Sequence, residues 1–275
     1  TLFVEYIGYP LFSGVKFSDV PINPHITKFQ FVLSFAVDYT ASSPHTSTNG
    51  KFNVFWDSSI LGPDQISAIK SSHPNVRVAV SLGGASVGSN TVQFQAASVD
   101  SWVSNAVTSL TRIIQRYNLD GIDIDYEHFQ NTDKNTFAEC IGRLITTLKK
   151  NGVISFASIS PFPSVDEYYL ALFNEYKNAI NHINYQFKAY DSSTSVDKFL
   201  GYYNNAASKY KGGNVLISFS TGPHPGGLPV DKGFFDAATS LKNKGKLHGI
   251  AVWTADTSKS SDFRYEEEAQ AFLVS

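Results

Sequence analysis

The sequence is poorest in sulfur, with a single cysteine, Cys140, and no methionine. One thiol excludes an intramolecular disulfide, so packing has to supply the stability. Cys140 sits in the helical pattern Thr136-Phe137-Ala138-Glu139-Cys140-Ile141, where an inert buried thiol is the expected state. Charge is sparse as well: charged residues make up 17% of the chain and sum to −2, with both signs interspersed. That balance speaks against a nucleic-acid partner or an anionic membrane and favours a neutral, hydrogen-bonding one. No apolar run approaches the roughly 18 residues of a membrane span, and no basic-then-apolar leader stands at the start. Because the chain begins at Thr1 and has no Met, we expect a precursor trimmed of a leader, and hence secretion or vacuolar delivery. The seven histidines lack metal-ligand spacing, and neither a metal nor a cofactor is expected.

Apolar material is ample: 42% of the 275 residues are hydrophobic, with 14 Tyr and 21 Phe. This suits one large globular unit over residues 1–275, and barrels of alternating strands and helices commonly run to about 250 residues. No linker, charge block or low-complexity stretch divides the chain, and a monomer is expected. Short apolar runs recur at Leu2 to Gly8, Phe29 to Val37, Val76 to Leu82, Gly121 to Glu127, Val153 to Ile159, Ile183 to Phe187, Val215 to Phe219 and His248 to Trp253. Amphipathic stretches separate them, among them Ser98 to Tyr117, Asp133 to Lys150, Val165 to Asn178, Ser195 to Tyr210 and Asp231 to Lys244. Such alternation fits an open doubly wound sheet as well as a closed barrel, and the number of runs favours the barrel. Turn-rich segments at Thr40 to Lys51, Gly83 to Asn90 and Thr221 to Leu228 would then form loops at the C-terminal rim, where barrels bind ligands.

The segment Asp120-Gly121-Ile122-Asp123-Ile124-Asp125-Tyr126-Glu127 carries the chemistry. Strand side chains alternate, so Ile122, Ile124 and Tyr126 share one face while Asp123, Asp125 and Glu127 share the other, about 6 to 7 Å apart along the strand. A solvated strand edge is the ordinary explanation for alternating acids. Here the strand lies between two long helical patterns, where a parallel strand is buried on both faces. With the apolar face against the helices, the acidic face points into the barrel, and like charges there cannot all ionise. At least one proton is retained near neutral pH, and Glu127, nearest the mouth, is best placed to donate one. Carboxylate clusters also suit Mg or Ca, but no second acidic cluster follows another strand.

On these residues the chain resembles glycoside hydrolase family 18, whose fourth-strand signature Asp-x-x-Asp-x-Asp-x-Glu is filled by Asp120, Asp123, Asp125 and Glu127. The family's Ser-x-Gly-Gly at the third strand is matched by Ser81, Gly83 and Gly84. Trp253 matches the Trp that floors the sugar site, and Tyr6 and Phe35 match aromatics ending the first two strands. Within the family the likeness is to plant class III chitinases of the disulfide-free bulb type. The resemblance implies an α/β fold, the (β/α)8 TIM barrel, and a chitinase acting on chitin or N-acetylglucosamine oligomers in plant defence. It also implies substrate-assisted retention: Glu127 as the acid, Asp125 orienting the 2-acetamido group that acts as nucleophile, and Asp123 supporting Asp125.

The pattern departs from the family at one place. Relatives carry Gln-Phe-Tyr after the sixth strand, whereas this chain reads Gln186-Phe187-Lys188-Ala189-Tyr190. Gln186 is in place as a substrate-binding residue. The expected substitute for the family Tyr is Tyr190, which keeps the strand parity if the strand runs that far. A catalytically inactive lectin or storage protein on the same barrel stays open, as does an endo-β-N-acetylglucosaminidase. Trp102 reads as core, Trp56 as either core or site, and His128 as pointing away from Glu127.

Overall fold

The computed structural model describes residues 1–275. Eight strands recur along the chain: β1 Leu2–Ile7, β2 Lys28–Val37, β3 Val76–Gly84, β4 Gly121–Tyr126, β5 Phe156–Ile159, β6 His182–Asn184, β7 Val215–Ser220 and β8 Ile250–Trp253. Each pairs in parallel with the next, and β8 pairs back onto β1, so the sheet has no free edge around the ring. The architecture is therefore the (β/α)8 TIM barrel and not the open sheet. Helices α1 Pro63–Ser72, α2 Val99–Tyr117, α3 Lys134–Lys150, α4 Asp166–Tyr176, α5 Val196–Lys209, α6 Phe234–Asn243, α7 Ala255–Ser258 and α8 Arg264–Val274 surround it.

Local chemistry explains where the helices begin. The side chains of Ser98, Asp133 and Ser195 accept from the backbone N–H three residues on, at the starts of α2, α3 and α5, which satisfies donors that a helix N-terminus leaves unpaired. In α2, Trp102, Ala106, Leu110 and Ile114 recur every fourth residue and are all buried, forming one stripe against the barrel. Trp102 is core, as read from sequence. Its indole N–H donates to Asp38 Oδ2 at 3.0 Å, and Tyr126 Oη donates to Asp38 Oδ1 at 2.5 Å. These bonds tie the outward face of β4 to α2. Trp56 is also buried, its indole N–H donating to Leu61 O at 3.0 Å.

The barrel interior differs from the helix-facing layer. Val4, Val32, Ala79, Phe156, Leu216 and Ala251 form a small apolar plug with Tyr6 inside the ring. Above it Ser81, Asp123, Ser158, Ser160 and Asn184 are buried polar groups. Register sets their heights: Asp123 aligns with Ser81 on β3 and with Ser158 on β5.

The structure departs from the sequence reading at a strand end and in two helices. β6 ends at Asn184, and a 3-10 turn over Phe187–Ala189 replaces the expected strand continuation. Helices α1 and α8 were not among the stretches singled out, because α1 buries only Ile66 and Ile69 and α8 is rich in charge.

Candidate active site

A cavity of about 230 Å³ opens at the C-terminal ends of the strands, with Asp125 and Glu127 on one side and Trp253 on the other. Asp120 is far from it, at the opposite end of β4. There it accepts from the Val78 backbone N–H at 2.9 Å and pairs with Lys70 of α1 at 3.0 Å. The first acid of the motif thus clamps the barrel's lower end, and the other three climb toward the mouth.

Asp123 is fully buried and solvated by protein. Tyr6 Oη donates at 3.0 Å, Ser81 Oγ at 2.8 Å, Ser158 Oγ at 2.7 Å, Ser160 Oγ at 2.9 Å and Asn184 Nδ2 at 3.5 Å. Burial still pushes its carboxyl above the usual range, against the pull of the serine and tyrosine bonds. Asp125, one rung higher, receives a single side-chain bond, from Gln186 Nε2 at 2.7 Å. Burial raises it well above the ordinary aspartate range, and the charges of Glu127 and Asp123 reinforce the rise. Glu127 borders the cavity, and burial raises it as well, against the opposing charges of Lys188 and His128. The proton expected from sequence is therefore a property of the 125/127 pair.

The facing wall is aromatic. Trp253 lies 5.4 Å from the ring of Tyr6, 5.9 Å from Phe35 and 5.9 Å from Tyr9. In an eight-stranded ring β8 is diametrically opposite β4, so closure itself sets acids against platform. Gly84 lies behind this wall. Its φ of +80° and the Phe35 ring, 2.8 Å from where a Cβ would stand, require glycine there. It seats Phe35 without lining the cavity.

The structure thus brings together Tyr6, Phe35, Asp125, Glu127, Gln186 and Trp253 around one cavity, with Asp123 directly beneath. Gly84, behind Phe35, and Tyr190 do not line it: the Tyr190 ring stacks on Tyr202 of α5, centroids 3.7 Å apart and planes 5° from parallel. The 3-10 turn breaks the alternation that would have aimed it inward. Lys188 lines the cavity instead. Sequence reasoning also passed over Tyr9, which follows the turn at Gly8 (φ +106°) and has no strand parity to reveal it. The donors around Asp123 are legible in principle, since Ser81, Ser158 and Asn184 are polar residues at inward positions of apolar strands.

Paired acids on one wall of a barrel mouth and an aromatic platform on the other are the layout of a glycoside hydrolase. Glycosyl hydrolases family 18 matches residues 29–224, and the chain belongs to that family. It is 56% identical to "Chitinase 1" of Tulipa saxatilis subsp. bakeri over 278 aligned residues, covering 100% of this chain and 87% of that protein. The catalytic domain of a family GH18 chitinase from the fern Peteris ryukyuensis superposes with a TM-score of 0.95 at 51% identity, covering 100% of both chains. A "RuBisCO-associated protein" of Glycine max is 34% identical over 60% of this chain and 59% of that protein.

Proposed function

We infer that the protein is a chitinase that hydrolyses β-1,4 links between N-acetylglucosamine units with retention, using the substrate's own acetamido group as nucleophile. One observation carries the mechanism: both acids at the cavity belong to one run of chain, Asp125 on β4 and Glu127 just past its end, and the wall across from them is aromatic. Retention through an enzyme nucleophile needs two carboxyl groups flanking the scissile bond, about 5 to 5.5 Å apart. No acid lines the β8 side, which fits the route that membership of the family implies, in which the sugar's own acetamido oxygen attacks.

The steps then fall to named groups. Glu127 gives its proton to the glycosidic oxygen and the leaving chain departs. The acetamido carbonyl oxygen closes on the anomeric carbon, forming an oxazolinium ion. Asp125, held by Gln186 at 2.7 Å, accepts the acetamido N–H and offsets the developing positive charge. Asp123, seated in its ring of donors, fixes the rung below. Water deprotonated by Glu127 then attacks the anomeric carbon from the face that the leaving chain vacated, breaking its bond to the acetamido oxygen and giving retention. Trp253 offers the sugar an apolar floor.

Cleavage of N-acetylglucosamine oligomers, followed by NMR of the first-formed anomer, tests this reading. The β-anomer is expected first, and cellulose oligomers, which lack the acetamido group, should remain intact. An α-anomer, or cellulose cleavage, would overturn the mechanism. Binding without any cleavage would leave a carbohydrate-binding protein.

A further inference from the structure

Lys188 is the one cationic side chain lining the cavity. Its Nζ stands 5.5 Å from the centroid of the Trp253 ring and takes part in none of the chain's ion pairs. The backbone around it is held tightly. Phe187 N–H donates to Ser218 Oγ at 3.2 Å and Gly227 N–H to Tyr190 O at 2.8 Å. Gly226 lies so close that a Cβ there would stand 2.2 Å from the Lys188 carbonyl oxygen. The segment is clasped between β7 and the following loop, and its side chain is aimed into the cavity.

An ammonium has three donors and no acceptor. Within the cavity it faces Asp125 and Glu127 of β4 across the platform of β8, and its charge acts on both carboxyls. A sugar entering between them meets a site with acids on one side and a fixed cation on the other. A neutral N-acetylglucosamine unit presents an acetamido oxygen that can accept from the ammonium. A deacetylated, protonated glucosamine unit brings a second cation to the same place, and like charges at short range in a partly desolvated site repel.

We propose that Lys188 is a specificity-determining residue that excludes cationic glucosamine units from the cavity and reserves it for N-acetylated ones. This rests on the reading of the site as one for N-acetylglucosamine polymers. Without Lys188 that repulsion is gone, and a cationic unit meets only the 125/127 pair.

The test is a gain of binding. A glucosamine tetramer is titrated calorimetrically at about pH 5, where its amines are protonated, into the native protein and the Lys188→Met and Lys188→Arg variants. An N-acetylglucosamine tetramer is titrated into the same three proteins carrying Glu127→Gln, which also reports whether each variant is folded. Lys188→Met should bind the glucosamine tetramer about tenfold more tightly than the native protein and the N-acetylated one within about threefold of it. Lys188→Arg should keep the native discrimination. Equal glucosamine affinity in native and Lys188→Met proteins overturns the proposal, as does the same gain in Lys188→Arg. Failure of the functional reading looks different: a native protein that binds N-acetylated oligomers without cleaving them loses the enzyme assignment, and the charge comparison still decides the role of Lys188. A native protein that binds neither oligomer overturns both.

Discussion

Two groups of buried acids stand on opposite sides of the barrel wall, equally dry and differently treated. Inside, Asp123 is fully buried and accepts from four hydroxyls and an amide. Outside, Glu5 of β1 is equally buried against Glu266 of α8, and neither of its oxygens finds a donor. Glu266 accepts from Ser258, but its other oxygen is also unpartnered. Burial pushes both up, and for Glu5 the charges of Glu266 and Asp256 add to the rise. Donors, and not depth, thus decide what a buried acid becomes. Inside the ring the protein replaces water around a carboxylate; between β1 and α8 a proton retained by the carboxyls themselves supplies the missing hydrogen bond.

The largest break in this contrast should come from the rung that has no partner. Glu127→Gln removes the proton donor and should lower turnover by about 10²- to 10⁴-fold, with a melting temperature close to native. A parallel loss of stability would mean that the carboxyl is structural. Asp123→Ala, by comparison, takes the shared acceptor from five donors and leaves them only one another, and should cost about 2–4 kcal/mol in urea unfolding, together with activity. A stability cost near zero would refute the role assigned to its ring of donors.

The outer group sharpens the comparison through pH. Glu5 and Glu266 are raised on folding, and Asp256 reaches about 6. A group with a raised folded value contributes stability that is complete at low pH and lost as pH climbs through that value. The native protein should therefore melt lower at pH 8 than at pH 5. Glu5→Gln should flatten that slope by about 2–4 °C with chitin cleavage unchanged, and an unaltered slope would remove the proton from the pair. Smallest of all, Tyr190→Phe should change turnover by less than about twofold, because that ring is committed to Tyr202. A tenfold loss would return Tyr190 to the site.

These differences also mark what the sequence could yield. The acid ladder and the eight strands were readable because side-chain alternation is enforced by backbone geometry, and β4 keeps it throughout. For Tyr190 the condition that the strand runs on is not met: alternation tells faces apart but not where a strand stops, and β6 stops at Asn184. Helix α1 was overlooked because two buried isoleucines make a faint stripe. Tyr9 and Gly84 act through loop conformation and close approach, which depend on neighbours from distant parts of the chain.

That β4 and β8 face each other across the ring has a temporal consequence. During synthesis the proton donor at residue 127 is made well before its platform, which belongs to the last strand of the barrel to be added. The gap between them exists only once β8 docks onto β1. A nascent or truncated chain ending before Trp253 carries the full acid motif with nothing to hold a sugar against it, so competence to cleave doubles as a check that the barrel has been finished.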